Sequence, residues 1–253
     1  MMNASEQKTI LAVDNLTVQF GGLTALDNVT MHVAAGQRFG ILGPNGAGKT
    51  TLFNAVCGFV TPAKGKVALF DVDITRMPAY RRVSQGLVRT FQITTLFPEL
   101  TVFENVLMAS LVTTKRHRRF WRFATGNAQA VALAQEQLEQ LNLAYLAESS
   151  VGDLSYGEQR LLEIAVALAS NPTVLMLDEP TAGLSAAEIT AVVALINGLS
   201  RDLSVVIIEH DLDVIFDIAE YLSVLHFGKV IANGPTAEVS RNERVKDVYL
   251  GEA

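Results

Sequence analysis

Between Ile10 and Phe20 apolar side chains recur at every second position, at Leu16, Val18 and Phe20, and after Gly21-Gly22 the alternation resumes at Val29, Met31 and Val33. A two-residue period sets one side of a pleated strand on a core and leaves the other in water, so this stretch predicts an antiparallel sheet. The run from Arg38 to Leu42 reads as a short apolar strand. Leu52, Phe53, Ala55 and Val56 then follow as a helix face that Gly58 ends. Val67, Leu69 and Phe70 predict another short strand, Leu87 to Gln92 a further one, and Thr101 to Met108 a helix. Val131, Ala134, Leu138 and Leu141 share one helical face, with Glu136 and Glu139 elsewhere on its circumference. Thr101 with Glu104, Ser155 with Glu158 and Ser185 with Glu188 have the spacing of capping boxes and mark three helix starts.

Toward the C-terminus strand and helix alternate. Val174 to Leu177 and Val205 to Ile208 are continuously apolar and flank a helix from Ala186 to Leu199. That order is a βαβ unit, which requires parallel strands and places ligands at their carboxyl ends. Asp178, Glu179 and His210 stand just beyond those ends.

Gly43-Pro44-Asn45-Gly46-Ala47-Gly48-Lys49-Thr50, followed by Thr51, joins the first buried strand to its helix. It fits the phosphate-loop pattern of a glycine, four free positions and Gly-Lys-Thr. Such a turn aims backbone N–H groups and the positive end of a helix dipole at one point, where a phosphate chain belongs. Gly46 and Gly48 let the backbone close around a β-phosphate, Lys49 brings a cation to the β and γ oxygens, and Thr50 offers a hydroxyl to Mg2+. In a phosphate-loop ATPase the carboxylates after a hydrophobic strand hold the magnesium and the water. Asp178 is expected to hold the ion through its water shell and Glu179 to orient or deprotonate the attacking water. The capping box at Ser155 presents a second anion site, which one nucleotide does not need within one subunit; its use is to close over a nucleotide bound by a second copy.

The predicted fold is α/β: a phosphate-loop NTPase core with a mostly parallel sheet, an N-terminal antiparallel β subdomain and an inserted α-helical subdomain over about 93–171. Residues 8–253 form one domain after a disordered tail at 1–7. With 253 residues and 49% apolar content, the chain can bury one sizeable core or a core with a subdomain. A net charge of −6 argues against a nucleic-acid-binding surface spread over the whole protein. The basic run Lys115 to Arg122 reads either as a solvated loop or as a contact for anionic lipid or an acidic partner loop. Cys57, the single cysteine, reads as a small buried hydrophobe in a reducing cytosol. Met1 to Lys8 has no signal-peptide apolar region, and no apolar run approaches the roughly 18 residues of a membrane span, so another chain is expected to supply any crossing.

In order and spacing, Gly43 to Thr50, Gln92, Leu154 to Gln159, Val174 to Glu179 and His210 resemble the ATP-binding cassette family over nearly the whole chain. The resemblance implies a head-to-tail dimer with two ATP molecules, each held between one subunit's phosphate loop and the other's Ser155 and Gly157, with Glu158 beside them. It further implies that Gln92 contacts Mg2+ and senses the membrane partner. His210 would hold the γ-phosphate and water near Glu179, and Phe20 would stack on adenine where many relatives have tyrosine. Ala182-Gly183-Leu184-Ser185 departs from the usual Ser-Ala-Leu-Asp, which leaves its cross-dimer contacts open.

Phe20 to Leu26, Arg89 to Gln92 with Leu96-Phe97, Ser155 to Arg160 and Tyr249 to Ala253 are similar to the ATP-binding subunits of branched-chain amino acid importers; Tyr156 stands where most cassettes have glycine. Importers of urea, short amides and aromatic acids use similar cassettes. The implied partners are a second cassette, two membrane permease subunits and, indirectly, an extracytoplasmic binding protein, with the chain on the cytoplasmic face of the inner membrane. Leu96, Phe97, Pro98 and Leu100 are exposed apolar candidates for the permease contact, or ordinary core. A chromosome-organising ATPase would need a heptad-bearing insertion, translation factors carry two cassettes in one chain, and a generic phosphate-loop kinase leaves the Ser155 motif without a use.

Overall fold

The computed structural model describes residues 8–90, 96–113 and 128–250. The alternating N-terminal stretch forms β1 (Thr9–Phe20) and β2 (Leu23–Ala34), antiparallel, with Val13 opposite Met31 and Leu16 opposite Val29. β3 (Arg38–Leu42) and α1 (Lys49–Cys57) follow. β4 (Lys64–Leu69) and β5 (Val72–Asp73) then complete a four-stranded sheet in the order β2-β1-β4-β5. Two expectations change here. Phe20 is half-exposed at the end of β1, and Phe70 lies outside β4 in a left-handed turn with Asp71, at φ 50° and 66°. The tight reversal into β5 takes Phe70 out of the strand.

The chain continues through α2 (Ala79–Ser84), β6 (Leu87–Arg89), α3 (Val102–Thr113), α4 (Ala128–Gln140) and two 3-10 turns to α5 (Tyr156–Ala169). After these come β7 (Val174–Asp178), α6 (Ala186–Gly198), β8 (Ser204–Ile208), α7 (Leu212–Ile218), β9 (Tyr221–His226), β10 (Lys229–Pro235), α8 (Thr236–Val239) and α9 (Glu243–Leu250). Six strands form the second sheet in the order β10-β9-β3-β8-β7-β6, parallel except for the β9–β10 hairpin. β3, β7 and β8 are buried at every residue, which is why they read as unbroken apolar runs rather than alternations.

One core lies around the antiparallel sheet and α1, a second among β7, β8, α6 and α7, and a third among α3, α4 and α5. Leu96 is buried in the third, so of the four apolar residues that read either as surface or as core, Phe97 and Pro98 are exposed, Leu100 is half-buried and Leu96 is core.

Two buried arginines tie these layers together. Arg38 Nη1 donates to the Leu203 carbonyl at 2.6 Å and Nη2 to that of Leu199 at 2.7 Å, pinning the end of α6 to β3. Arg82 Nη1 reaches the carbonyls of Ala55 and Val56 at 2.9 and 2.5 Å, and Nε that of Met77 at 2.8 Å. A cation on the last carbonyls of α1 satisfies acceptors that the helix leaves open and complements its dipole, holding the far end of the helix that carries the phosphate loop. Burial lowers both guanidinium pKa values.

Candidate functional site

The loop between β3 and α1 turns through three glycines of positive φ, Gly43 (154°), Gly46 (78°) and Gly48 (104°). At Gly48 the requirement is also steric, because a Cβ would lie 2.8 Å from the Leu26 side chain and 2.9 Å from the Ala25 carbonyl. The loop closes on itself through Ala47 N–H to the Pro44 carbonyl at 3.1 Å. The β9–β10 turn holds it from outside, with Gly228 N–H donating to the Ala47 carbonyl at 2.9 Å. Lys49 is folded into this cradle: its Nζ donates to the carbonyls of Gly43 at 2.5 Å and Pro44 at 3.1 Å. Burial lowers its pKa, against the opposing pull of the Glu179 and Asp178 carboxylates, which places both acids within electrostatic reach of the loop.

A cleft of about 430 Å³ opens over the loop. Pro44 to Thr51 form its base, Glu179 enters from one side, and Phe20, Leu23, Thr24, Ala25, Phe227 and Gly228 complete the wall. The cleft therefore gathers Phe20, most of the phosphate loop and Glu179. It does not include Asp178, His210, Ser155, Gly157 or Glu158. Gln92 lies outside the described residues, as do the basic run 115–122 and the tail 1–7.

Asp178 ends β7 as a buried carboxylate whose Oδ2 accepts from Arg89 Nη2 at 2.5 Å, while Arg89 Nη1 donates to Asn54 Oδ1 at 2.6 Å. The guanidinium lies 5.5 Å from the Phe53 ring centre, so Arg89 links β6, β7 and α1 behind the loop. Glu179 has φ 46°, a conformation unfavourable for a non-glycine residue. It is held from both ends: its N–H donates to the Ile208 carbonyl at 3.0 Å, and its carbonyl accepts from Arg160 Nη2 at 3.1 Å. Arg160 also donates through Nε to the Pro180 carbonyl at 3.1 Å and through Nη1 to Glu163 at 2.6 Å, all of it buried within α5 and the segment after β7.

Glu209, fully buried at the end of β8, accepts from the N–H and hydroxyl of Thr181 at 3.0 and 2.7 Å. Burial raises its pKa, and the Thr181 bonds oppose the rise. His210 beside it is exposed, with Nδ1 3.9 Å from Glu209 Oε2.

At the N-terminus of α5 the expected capping box is present, Glu158 N–H to Ser155 Oγ at 3.2 Å and Ser155 N–H to the Glu158 carboxylate at 2.8 Å. The box at Thr101 and Glu104 is also reciprocal. At α6 the carboxylate of Glu188 accepts from the N–H and hydroxyl of Ser185 at 2.8 and 2.7 Å and then reaches Gly157 N–H at 3.1 Å. These bonds lower the Glu188 pKa, those to Ser185 most.

Sequence reasoning gave no role to several residues of the site: Leu23, Arg89 and Arg160 stood only within family-like segments, and Glu163, Glu209 and Phe227 were not singled out. The available signal for Arg160 and Glu163 was two opposite charges three positions apart inside an otherwise apolar helix. For Phe227 it was an aromatic residue before Gly228 where a tight turn was due.

A strand–glycine loop–helix cradle at the carboxyl ends of a mainly parallel sheet, with a carboxylate from beyond the end of β7 in the same cleft and an antiparallel sheet beside it, defines the chain as a phosphate-loop nucleotide-binding protein. Residues 26–182 match the family model described as ABC transporter, and residues 229–253 match that described as branched-chain amino acid ATP-binding cassette transporter. The chain belongs to the ABC transporter family and is an ATP-binding cassette ATPase.

It is 39% identical over 259 residues to the high-affinity branched-chain amino acid transport ATP-binding protein BraF of Pseudomonas aeruginosa, with 97% of this chain and 99% of the relative covered. Identity to LivG of Escherichia coli, of the same description, is 36% over 257 residues, covering 96% and 98%. The solved ADP conformation of MJ1267, an ATP-binding cassette of an ABC transporter, matches with a TM-score of 0.83 at 31% identity, covering 96% of this chain and 99% of that one. Among the described residues no helix is long and apolar enough to cross a membrane.

Proposed function

We propose that this chain is the ATP-hydrolysing subunit of an importer for branched-chain or closely related amino acids, working as a pair of cassettes on the cytoplasmic face of the inner membrane. The observation that carries the choice of cargo is the match of residues 229–253 to the branched-chain model, beside near full-length likeness to BraF and LivG. The partners are a second cassette, identical or related, two permease subunits and, through them, an extracytoplasmic binding protein. Nucleic acid has no part in this reading.

In it, Gly43 to Thr51 receive the ATP phosphates and Lys49 exchanges its two carbonyl partners for the β and γ oxygens. Phe20 stacks on adenine. Glu179, its backbone fixed at both ends, keeps its carboxylate in the cleft, where it orients the attacking water and takes its proton as the water oxygen bonds to the γ-phosphorus and the β–γ bridging oxygen leaves with ADP. His210 is assigned the γ-phosphate side of the same water. Ser155, Gly157 and Glu158, which do not line this chain's cleft, serve the nucleotide of the second cassette.

The donor set suits magnesium. The Thr50 hydroxyl and Asp178 carboxylate are hard oxygen donors, and Asp178, whose Oδ2 is paired with Arg89, would act through the ion's water shell. Thr50, Asp178 and Gln92 would hold the ion, which supplies neutralising charge to the phosphate oxygens.

The test is Glu179→Gln in the purified complex. ATP binding should persist while turnover falls by at least about 100-fold, the scale of a lost general base. Turnover at the parent rate would remove Glu179 from the mechanism. A cargo assay with the co-purified binding protein, in which leucine, isoleucine and valine fail to stimulate turnover while urea or an aromatic acid does, would reassign the importer.

A further inference from the structure

We propose that Phe227 forms a second aromatic wall of the nucleotide cleft, so that the base is gripped between Phe20 and Phe227 rather than stacked on one face. The inference rests on the reading of the cleft as an ATP site and adds a residue to it.

Phe227 is the wrong residue for its place on two independent grounds. It sits with Gly228 in the two-residue turn between β9 and β10, at φ 45° and 75°. That turn favours Asn-Gly or Asp-Gly, and a bulky side chain at positive φ is strained. It is also 80% exposed, an arrangement that folding alone does not reward. A residue that costs the fold twice and still points into a binding cleft marks a functional position. Phe70, in the comparable β4–β5 turn, is only 40% exposed and does not line the cleft.

The turn is also positioned for the task. Gly228 N–H holds the Ala47 carbonyl of the phosphate loop at 2.9 Å, Asp27 N–H holds the Gly228 carbonyl at 2.8 Å, and Lys229 pairs with Asp27 at 3.2 Å. Phe227 is thus fixed to the loop that takes the phosphates and to the strand after Leu23. The His226 ring, 4.2 Å centre to centre and tilted by 49°, backs it. Phe20, 50% exposed, and Leu23, 67% exposed, line the same cleft, so three large apolar side chains left in water converge on the one place where a flat base would cover them.

The experiment measures equilibrium binding of ATP and of inorganic triphosphate to the full chain for the parent, Phe227→Asn, Phe227→Tyr and Lys49→Ala, with thermal unfolding of each in the absence of nucleotide. Asparagine suits the turn, so Phe227→Asn should unfold at the same or a higher temperature while ATP affinity falls about ten-fold, the weight of one stacked face. Its affinity for triphosphate, which has no base, should not change, and Phe227→Tyr should bind ATP within about two-fold of the parent because the face is kept. Parent-like ATP binding by Phe227→Asn would overturn the inference alone. A parent chain that binds no ATP, or binds it as well as Lys49→Ala does, would overturn the cleft's assignment as well.

Discussion

Replacing Arg160 with methionine keeps much of the aliphatic volume and removes every polar contact of the guanidinium. In the native chain that group neutralises buried Glu163 and donates to the carbonyls of Pro180 and Glu179. Removing one partner of a buried pair strands the other charge, at about 3–5 kcal/mol. The single variant should therefore lose about 4 kcal/mol in urea unfolding, or roughly 10 °C in melting temperature for a chain of this size. In Arg160→Met with Glu163→Gln the stranded charge is gone and only the two carbonyls lack their donor, so the double variant should be more stable than the single one. Turnover separates a second effect. With its carbonyl released, Glu179 can relax from φ 46°, so kcat should remain low in the double variant even though stability partly returns. A single variant that costs under about 1 kcal/mol, or a double variant with parental kcat, would refute the view that Arg160 holds Glu179 in place.

Two further outcomes follow from burial. Burial raises the Glu209 pKa from an ordinary 4.5, so the folded chain keeps this proton where the unfolded chain has lost it. The stability it contributes is complete below 4.5 and disappears as pH rises through the folded value. The stability of Glu209→Gln minus that of the parent should accordingly grow as pH rises from about 4.5; a difference flat in pH would show that Glu209 titrates alike in both states. Cys57, the last residue of α1, is buried with its Sγ 3.5 Å from Met176 Sδ in β7, and its thiol is pushed up to about 12 by that burial. It should resist alkylation at neutral pH until the chain unfolds, and rapid labelling of native protein would contradict its place in the core.

The parts of the fold visible beforehand were those written in local periods. Alternation found β1 and β2, unbroken apolar runs found β3, β7 and β8, and the spacing of Ser155 and Glu158 found a cap that the structure contains. The phosphate loop was legible because its chemistry is contiguous. What escaped is carried by contacts between distant positions, as when Arg38 takes carbonyls more than 160 residues away and Arg82 caps a helix that ended 25 residues before it. Leu96 stays undecided in the sequence for a related reason: a short apolar cluster looks the same whether it faces a partner or a core. The half-exposed Phe20 shows the opposite limit, since the period that placed its neighbours in the core placed it there too, and only the cleft beyond the strand explains why it stops short.

The carboxylate of Glu188 already sits on the amide of Gly157. Any phosphate reaching that amide must evict it, and the two bonds from Ser185 can keep the displaced group tethered close by. In the proposed pairing of cassettes such an exchange would replace one negative acceptor with another and would not leave the donor bare. Two like charges crowded at one helix end would then repel, and the side chain pushed aside would favour release.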